Sequence, residues 1–234
     1  MPSGHDDPVG IWLQGDPEVL KDYVELQPVG LVTNTIILDD MVDTYGSMLG
    51  LIERYLGVID DVPLVVEVDG DTAEDIVAAS APFQALSPRV VMKIPTSGKG
   101  LRAVARMKAD GRDSMVTTLF SASQAVAATQ AGAAYIAPFV GPMIDSGADA
   151  ATIVSDIVRV LQGRENTPYI LGGIIRNTIA SDVAIRAGCD GIVIFPHTYE
   201  EILLHPGTAE WNSTFRDHWD NMQRKGALEG VADK

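Results

Sequence analysis

The stretch from Arg89 to Phe120, RVVMKIPTSGKGLRAVARMKADGRDSMVTTLF, holds the unit that decides the fold. Two short apolar runs, Arg89–Pro95 and Ser114–Leu119, flank a segment, Gly98–Asp110, with apolar residues at helical spacing. The unit repeats outward in both directions. Further runs lie at Gly10–Gln14, Val29–Thr33, Pro63–Val68, Ala134–Pro138, Tyr169–Gly172 and Gly191–Phe195. Most lack in/out alternation, as parallel strands covered on both faces do. Helical patterns fall between them at Asp16–Leu26, Met41–Leu56, Thr72–Ala81, Ser121–Ala131, Ala148–Leu161, Thr178–Ala187 and Tyr199–Leu204. Regular β-then-α alternation predicts a parallel α/β fold. Eight strands in 234 residues predict a single (β/α)₈ TIM barrel over residues 10–207. A doubly wound open sheet is the alternative, but no G-x-G-x-x-G marks a strand–helix turn.

Residues 1–9 read as a polar tail, and 208–234 as an extra C-terminal helix and tail. That helix, expected over Thr208–Arg224, carries Trp211, Phe215 and Trp219 at intervals of four, hence on one face. The stripe packs either on its own barrel or on a neighbouring subunit.

Composition narrows the partners. The chain is 46% hydrophobic, enough for one sizeable core. A net charge of −15 disfavours nucleic acid and anionic membrane, because phosphate contacts need clustered Lys and Arg. Cys189 is the only cysteine, so an internal disulfide framework is excluded. No signal-like core or membrane-length apolar run is present, and a cytoplasmic protein is expected. His5, His197, His205 and His218 show no ligand spacing, so neither metal nor cofactor is expected.

In such a barrel the chemistry sits at the C-terminal ends of the strands. Polar residues inside or ending the apolar runs are therefore the candidates: Gln14, Thr33, Asn34, Glu67, Lys93, Thr117, Thr118 and Asp190. Lys93 is the most informative. Of six lysines it alone interrupts a strand, where it must reach water or sit buried with a lowered pKa. A neutral amine is the form that attacks a carbonyl. Glu67, inside Leu64–Val68, is costly there unless paired, and beside Lys93 it would be a counter-ion or activate a water. One hydroxyl of Thr117 and Thr118 should face the interior. Asn34 equally suits a helix cap.

At these residues the sequence resembles the transaldolase and fructose-6-phosphate aldolase family. Val91–Pro95 with Ser97–Leu101 is similar to the family's strand-four lysine segment. Thr117–Ala125, Ala137–Gly141 and Val32–Asn34 resemble its strand-five, strand-six and strand-two motifs. The likeness runs in order from about Ile11 to Trp219 and looks most like the short fructose-6-phosphate-aldolase-like subfamily. The resemblance implies that Lys93 forms an iminium with a carbonyl donor. It implies that Glu67 and Thr117 hold a water and that Asn34 binds donor hydroxyls. It also implies a homopentamer or homodecamer in which the terminal helix reaches a neighbour.

Three features depart from that pattern. The family's strand-one aspartate aligns with Gln14, an amide that exchanges no proton at neutral pH. A strand-six tyrosine of the fructose-6-phosphate aldolases is here Phe139, as in transaldolases. The usual phosphate-binding arginine and serine align with Pro142 and Ile174, leaving Arg176 as the basic residue. A lost charged contact costs about 1.5–3 kcal/mol of phosphate binding. The leading expectation is a Schiff-base aldolase- or transaldolase-like enzyme acting on non-phosphorylated carbonyl substrates. The alternatives are a conventional transaldolase or fructose-6-phosphate aldolase, with Arg176 carrying the anion, and a barrel that binds a metabolite without catalysis.

Overall fold

A computed structural model describes residues 9–227; residues 1–8 of the expected N-terminal tail and 228–234 of the expected C-terminal segment lie outside the described residues. Eight parallel strands close into a barrel in sequential order. They are β1 (Gly10–Leu13), β2 (Gly30–Val32), β3 (Leu64–Glu67), β4 (Val90–Pro95), β5 (Ser114–Leu119), β6 (Tyr135–Pro138), β7 (Tyr169–Ile175) and β8 (Gly191–Ile194). The fold is the expected TIM barrel with an extra C-terminal helix. The helices are α1 (Pro17–Leu20), α2 (Thr35–Tyr45), α3 (Met48–Leu56), α4 (Ala73–Leu86), α5 (Gly98–Ala109) and α6 (Ala122–Gln130). They continue with α7 (Val140–Asp145), α8 (Ala150–Leu161), α9 (Thr178–Arg186), α10 (Pro196–Leu203) and α11 (Pro206–Arg224).

Strand periodicity sorts the apolar residues into two clusters. Residues such as Leu31, Leu64, Met92, Ile94, Val116 and Ile192 face outward and pack under the helices. Their neighbours Trp12, Val32, Val65, Val91, Met115 and Tyr135 fill the interior. Trp12 is fully buried there, edge-on to Tyr135 at 5.7 Å between centroids. Its indole lies where a side chain of residue 30 would stand: a Cβ on Gly30 would come within 2.1 Å of the ring. The absence of a side chain on β2 thus makes room for the largest residue of β1.

Several boundaries differ from the sequence reading. The segment expected as one helix over Met41–Leu56 begins at Thr35 and breaks at Gly46, whose φ of 82° ends α2; Ser47 then caps α3. Asp16–Leu26 is a single α turn followed by a 3-10 helix over Lys21–Leu26. α4 continues past Ala81 through Pro82, with Phe83 and Leu86 packed on the core to hold its last turn. α7 was not expected, because it is short and contains Gly141 and Pro142. β7 extends to Ile175 rather than ending at Gly172.

Substituting Gly30→Ala should destabilise the protein by about 1–3 kcal/mol or more, since the ring has no empty volume to enter. Urea unfolding measures this; an unchanged midpoint would show that Trp12 swings aside freely.

Candidate active site

The register of the barrel assembles the polar candidates. Trp12, Val65, Val91 and Met115 face the interior, so residues two further along face it too. These are Gln14, Glu67, Lys93 and Thr117, which form a polar layer above the apolar one, at the C-terminal end. β3 and β4 pair with Glu67 opposite Lys93, which sets the two side chains alongside one another.

Lys93 is 5% exposed. Its Nζ lies 2.9 Å from Glu67 Oε2 and donates to the Thr33 carbonyl at 3.0 Å. Thr33 is itself fully buried, and its hydroxyl donates to the Val65 carbonyl, which fixes the turn out of β2. Burial pushes the Lys93 amine below the usual lysine range, while the adjacent Glu67 charge works in the opposite direction. Among the described residues this is the only lysine drawn into the barrel, as the sequence indicated.

A cavity of about 20 Å³ opens beside Lys93, lined by Gln14, Thr117, Phe139 and Ile174 among others. That is room for one water-sized molecule. Thr117 Oγ1 is buried with no hydrogen-bond partner in the protein. Thr118 turns the other way: in the left-handed region at φ 60°, its hydroxyl accepts from Thr96 N–H and donates to the Thr117 carbonyl. Gln14 is buried, and the turn after it is clamped. The Tyr55 hydroxyl donates to the Gly15 carbonyl at 2.7 Å, and that of Tyr45 to Asp16 at 2.6 Å. Asp16 caps α1 through Glu18 N–H.

The remaining candidates are placed differently. Asn34 is the cap of α2, its Oδ1 accepting from Ile37 N–H at 2.9 Å, which leaves its amide N–H groups for other partners. Phe139 lines the cavity and meets Phe120 edge-on. Arg176 is exposed and ion-paired with Asp145 at 2.8 Å. It does not line the Lys93 cavity. Asp190 lies on the opposite side, where its carboxylate accepts from Ile170 N–H near the start of β7. Two contributors had gone unassigned. The Thr33 carbonyl is a backbone atom, invisible to residue type. Ile174 adopts φ 55°, a left-handed conformation that no β-branched residue advertises. Among the described residues no cluster of His, Cys, Asp or Glu could hold a metal ion. None of the described helices is long and apolar enough to cross a membrane.

The profile of a family described as Transaldolase/Fructose-6-phosphate aldolase matches residues 33–232. A probable transaldolase of Phenylobacterium zucineum is 32% identical, over 87% of this chain and 93% of that protein. A probable transaldolase of Moorella thermoacetica is 30% identical, over 90% of this chain and 98% of its own length. Among solved structures, a thiamine phosphate pyrophosphorylase from Pyrococcus furiosus superposes with a TM-score of 0.55 at 14% identity, covering 83% of this chain and 93% of that one. A 2,3-dimethylmalate lyase does so with a TM-score of 0.59 at 13% identity, covering 94% and 84%. At those identities the structures share the barrel alone.

The lowered Lys93 pKa has a consequence for stability. The folded state releases this proton at a lower pH than the unfolded chain, so it binds fewer protons between the two pKa values. Stability relative to a Lys93→Met variant should therefore rise with pH across that window, by at most about 1.4 kcal/mol per pH unit. Urea unfolding of both proteins at stepped pH measures the difference; a flat difference up to the ordinary lysine range would refute the lowered value.

Proposed function

The chain belongs to the transaldolase/fructose-6-phosphate aldolase family, and from that premise we propose that it makes or breaks a C–C bond beside a carbonyl through an iminium on Lys93. The observation that carries this reading is a buried lysine held against a carboxylate at the catalytic end of the barrel. We propose small non-phosphorylated ketones, aldehydes or sugars as substrates.

The geometry supports the following steps. Glu67 accepts a proton from the Lys93 ammonium. The freed Nζ lone pair bonds the carbonyl carbon of the donor, and the carbonyl oxygen gains a proton, giving a carbinolamine. That hydroxyl leaves as water with a proton returned by Glu67, and the iminium forms. The iminium then draws in the electron pair of its Cα–H bond, whose proton passes to a base such as the Glu67-linked water, or of its Cα–Cβ bond, whose Cβ leaves as an aldehyde while its hydroxyl proton passes to the same base; either gives an enamine. In the forming direction the enamine carbon adds to an aldehyde carbonyl, whose oxygen takes that proton back, and hydrolysis of the resulting iminium restores the amine. The cavity beside Lys93 has room for a water, and Thr117 Oγ1 has a free hydrogen-bonding capacity for it. Such a water, exchanging protons with Glu67, would serve the proton transfers. Gln14 would orient polar groups without exchanging a proton. Asn34 would donate amide hydrogen bonds to donor hydroxyls, and Phe139 would pack against the substrate. The ion pair with Asp145 satisfies Arg176, which supports uncharged substrates over sugar phosphates. A conventional transaldolase is the second reading, favoured by the names of the relatives.

Borohydride with hydroxyacetone should add mass at Lys93, and Lys93→Met should abolish the adduct in peptide mass spectrometry. Labelling of another lysine with Lys93 untouched would sink the assignment.

We also propose a homopentamer or homodecamer. No described residue of α11 is buried, and Trp211, Phe215 and Trp219 are 59%, 62% and 43% exposed. Much of that aromatic surface is therefore left uncovered within a single chain. Aromatic area of this extent calls for a cover, and a second copy supplies one. Light scattering should give a mass several times 25.0 kDa, falling when the chain is truncated from Ala209 onward; a monomer at micromolar concentration would exclude the assembly.

A further inference from the structure

Around the mouth of the Lys93 cavity the side chains form an apolar track toward solvent. Phe139 and Ile174 line the cavity. Phe139 meets Phe120 edge-on, with centroids 5.9 Å apart, and Phe120 is 44% exposed. Phe139 also bridges to Gly173, beside Ile174, so the three side chains follow one another across the ends of β5, β6 and β7. Ile174 holds a left-handed φ of 55°, a conformation that costs a β-branched residue about 1–2 kcal/mol. Backbone strain of this kind concentrates where a site needs a side chain held in one direction. Here it accompanies a register shift between Gly172 and Ile175.

The cations nearby offer an anion little. Arg176 is paired with Asp145, and Lys99 with Asp69 at 3.1 Å. Arg102, near the start of α5, is exposed. The chain's net charge of −15 adds a repulsive field against phosphate esters. The cavity beside Lys93 is open and small, about 20 Å³. The rest of any substrate must therefore lie outward, along the track.

We propose that Phe120, Phe139 and Ile174 are specificity-determining residues, selecting aldehyde acceptors with an uncharged aromatic or branched apolar substituent over phosphorylated ones. The proposal rests on the reading that Lys93 forms the donor iminium, but its test does not depend on turnover. The reacting carbonyl would sit at the mouth of the cavity, and the substituent would lie against the Phe139 and Phe120 rings. Edge-on and offset ring contacts favour an aromatic group there, and the three apolar side chains provide no partner for a phosphate.

Two measurements on the full chain separate the ideas. Saturation-transfer NMR with benzyl alcohol and with glycerol 3-phosphate reads the track without catalysis. Benzyl alcohol should bind at least about tenfold more tightly than glycerol 3-phosphate, the discrimination that a small apolar group provides in such sites. Phe139→Ser and the surface variant Phe120→Ser should each weaken it; Phe120 is exposed enough that the second variant keeps the fold. Preferential binding of glycerol 3-phosphate, lost in Arg102→Ala or Arg176→Ala, would overturn the proposal. So would benzyl alcohol binding that neither phenylalanine variant changes. If Phe120→Ser leaves binding intact but lowers the mass in light scattering, Phe120 belongs to a subunit contact and its assignment here is wrong. Hydroxyacetone trapping at Lys93, run in parallel, reports on the iminium alone, so a failure of either idea is recognised separately.

Discussion

Burying one ammonium inside a barrel is the constraint around which this molecule is arranged. An isolated charge there would cost several kcal/mol, so the group must be paired, hydrogen-bonded or neutral. The barrel provides the first two through elements adjacent in the sheet. The Glu67 carboxylate comes from β3 and the Thr33 carbonyl from the end of β2. Parallel register makes this inexpensive in design terms, because residues opposite one another in neighbouring strands share a face. Desolvation works toward the third, lowering the amine's pKa, while Glu67 opposes it.

Beneath that layer the interior is apolar and crowded. Trp12, Tyr135 and Tyr169 pack edge-on and tilted, with centroids 5.7 to 6.0 Å apart. This floor serves the site indirectly. A well-packed lower half leaves the polar layer no room to sink, so Lys93 and Thr117 stay at the depth the strands assign them. Two hydroxyl donations, from Tyr45 and Tyr55, hold the turn that follows Gln14 in the same fixed frame.

Much of this was legible in the sequence. All eight strands appear as short apolar runs, and Gln14, Glu67, Lys93 and Thr117 stand out as polar residues within or ending them. Local residue type was enough because period-two alternation carries it directly into the barrel. What the sequence concealed depended on backbone conformation or on distant partners. The Thr33 carbonyl leaves no trace in residue identity. The left-handed Ile174 runs against the preference of its own side chain. Arg176 looked available until its pairing with Asp145, 31 positions away, was seen. The split between α2 and α3 was written in Gly46 and Ser47, but the continuous apolar spacing on either side masked it.

The three tryptophans divide the molecule optically. Trp12 is sealed in the barrel among tyrosines, whereas Trp211 and Trp219 stand in solvent on α11. An indole in an apolar surround emits at shorter wavelength than one in water, so the two populations differ in colour. Emission from the barrel would shift to the red as the sheet opens. Emission from the terminal helix would shift to the blue, and escape aqueous quenchers, whenever something covers it. The same chain thus carries built-in and separable fluorescent reporters of its folding and of whatever covers its terminal helix, with no added label.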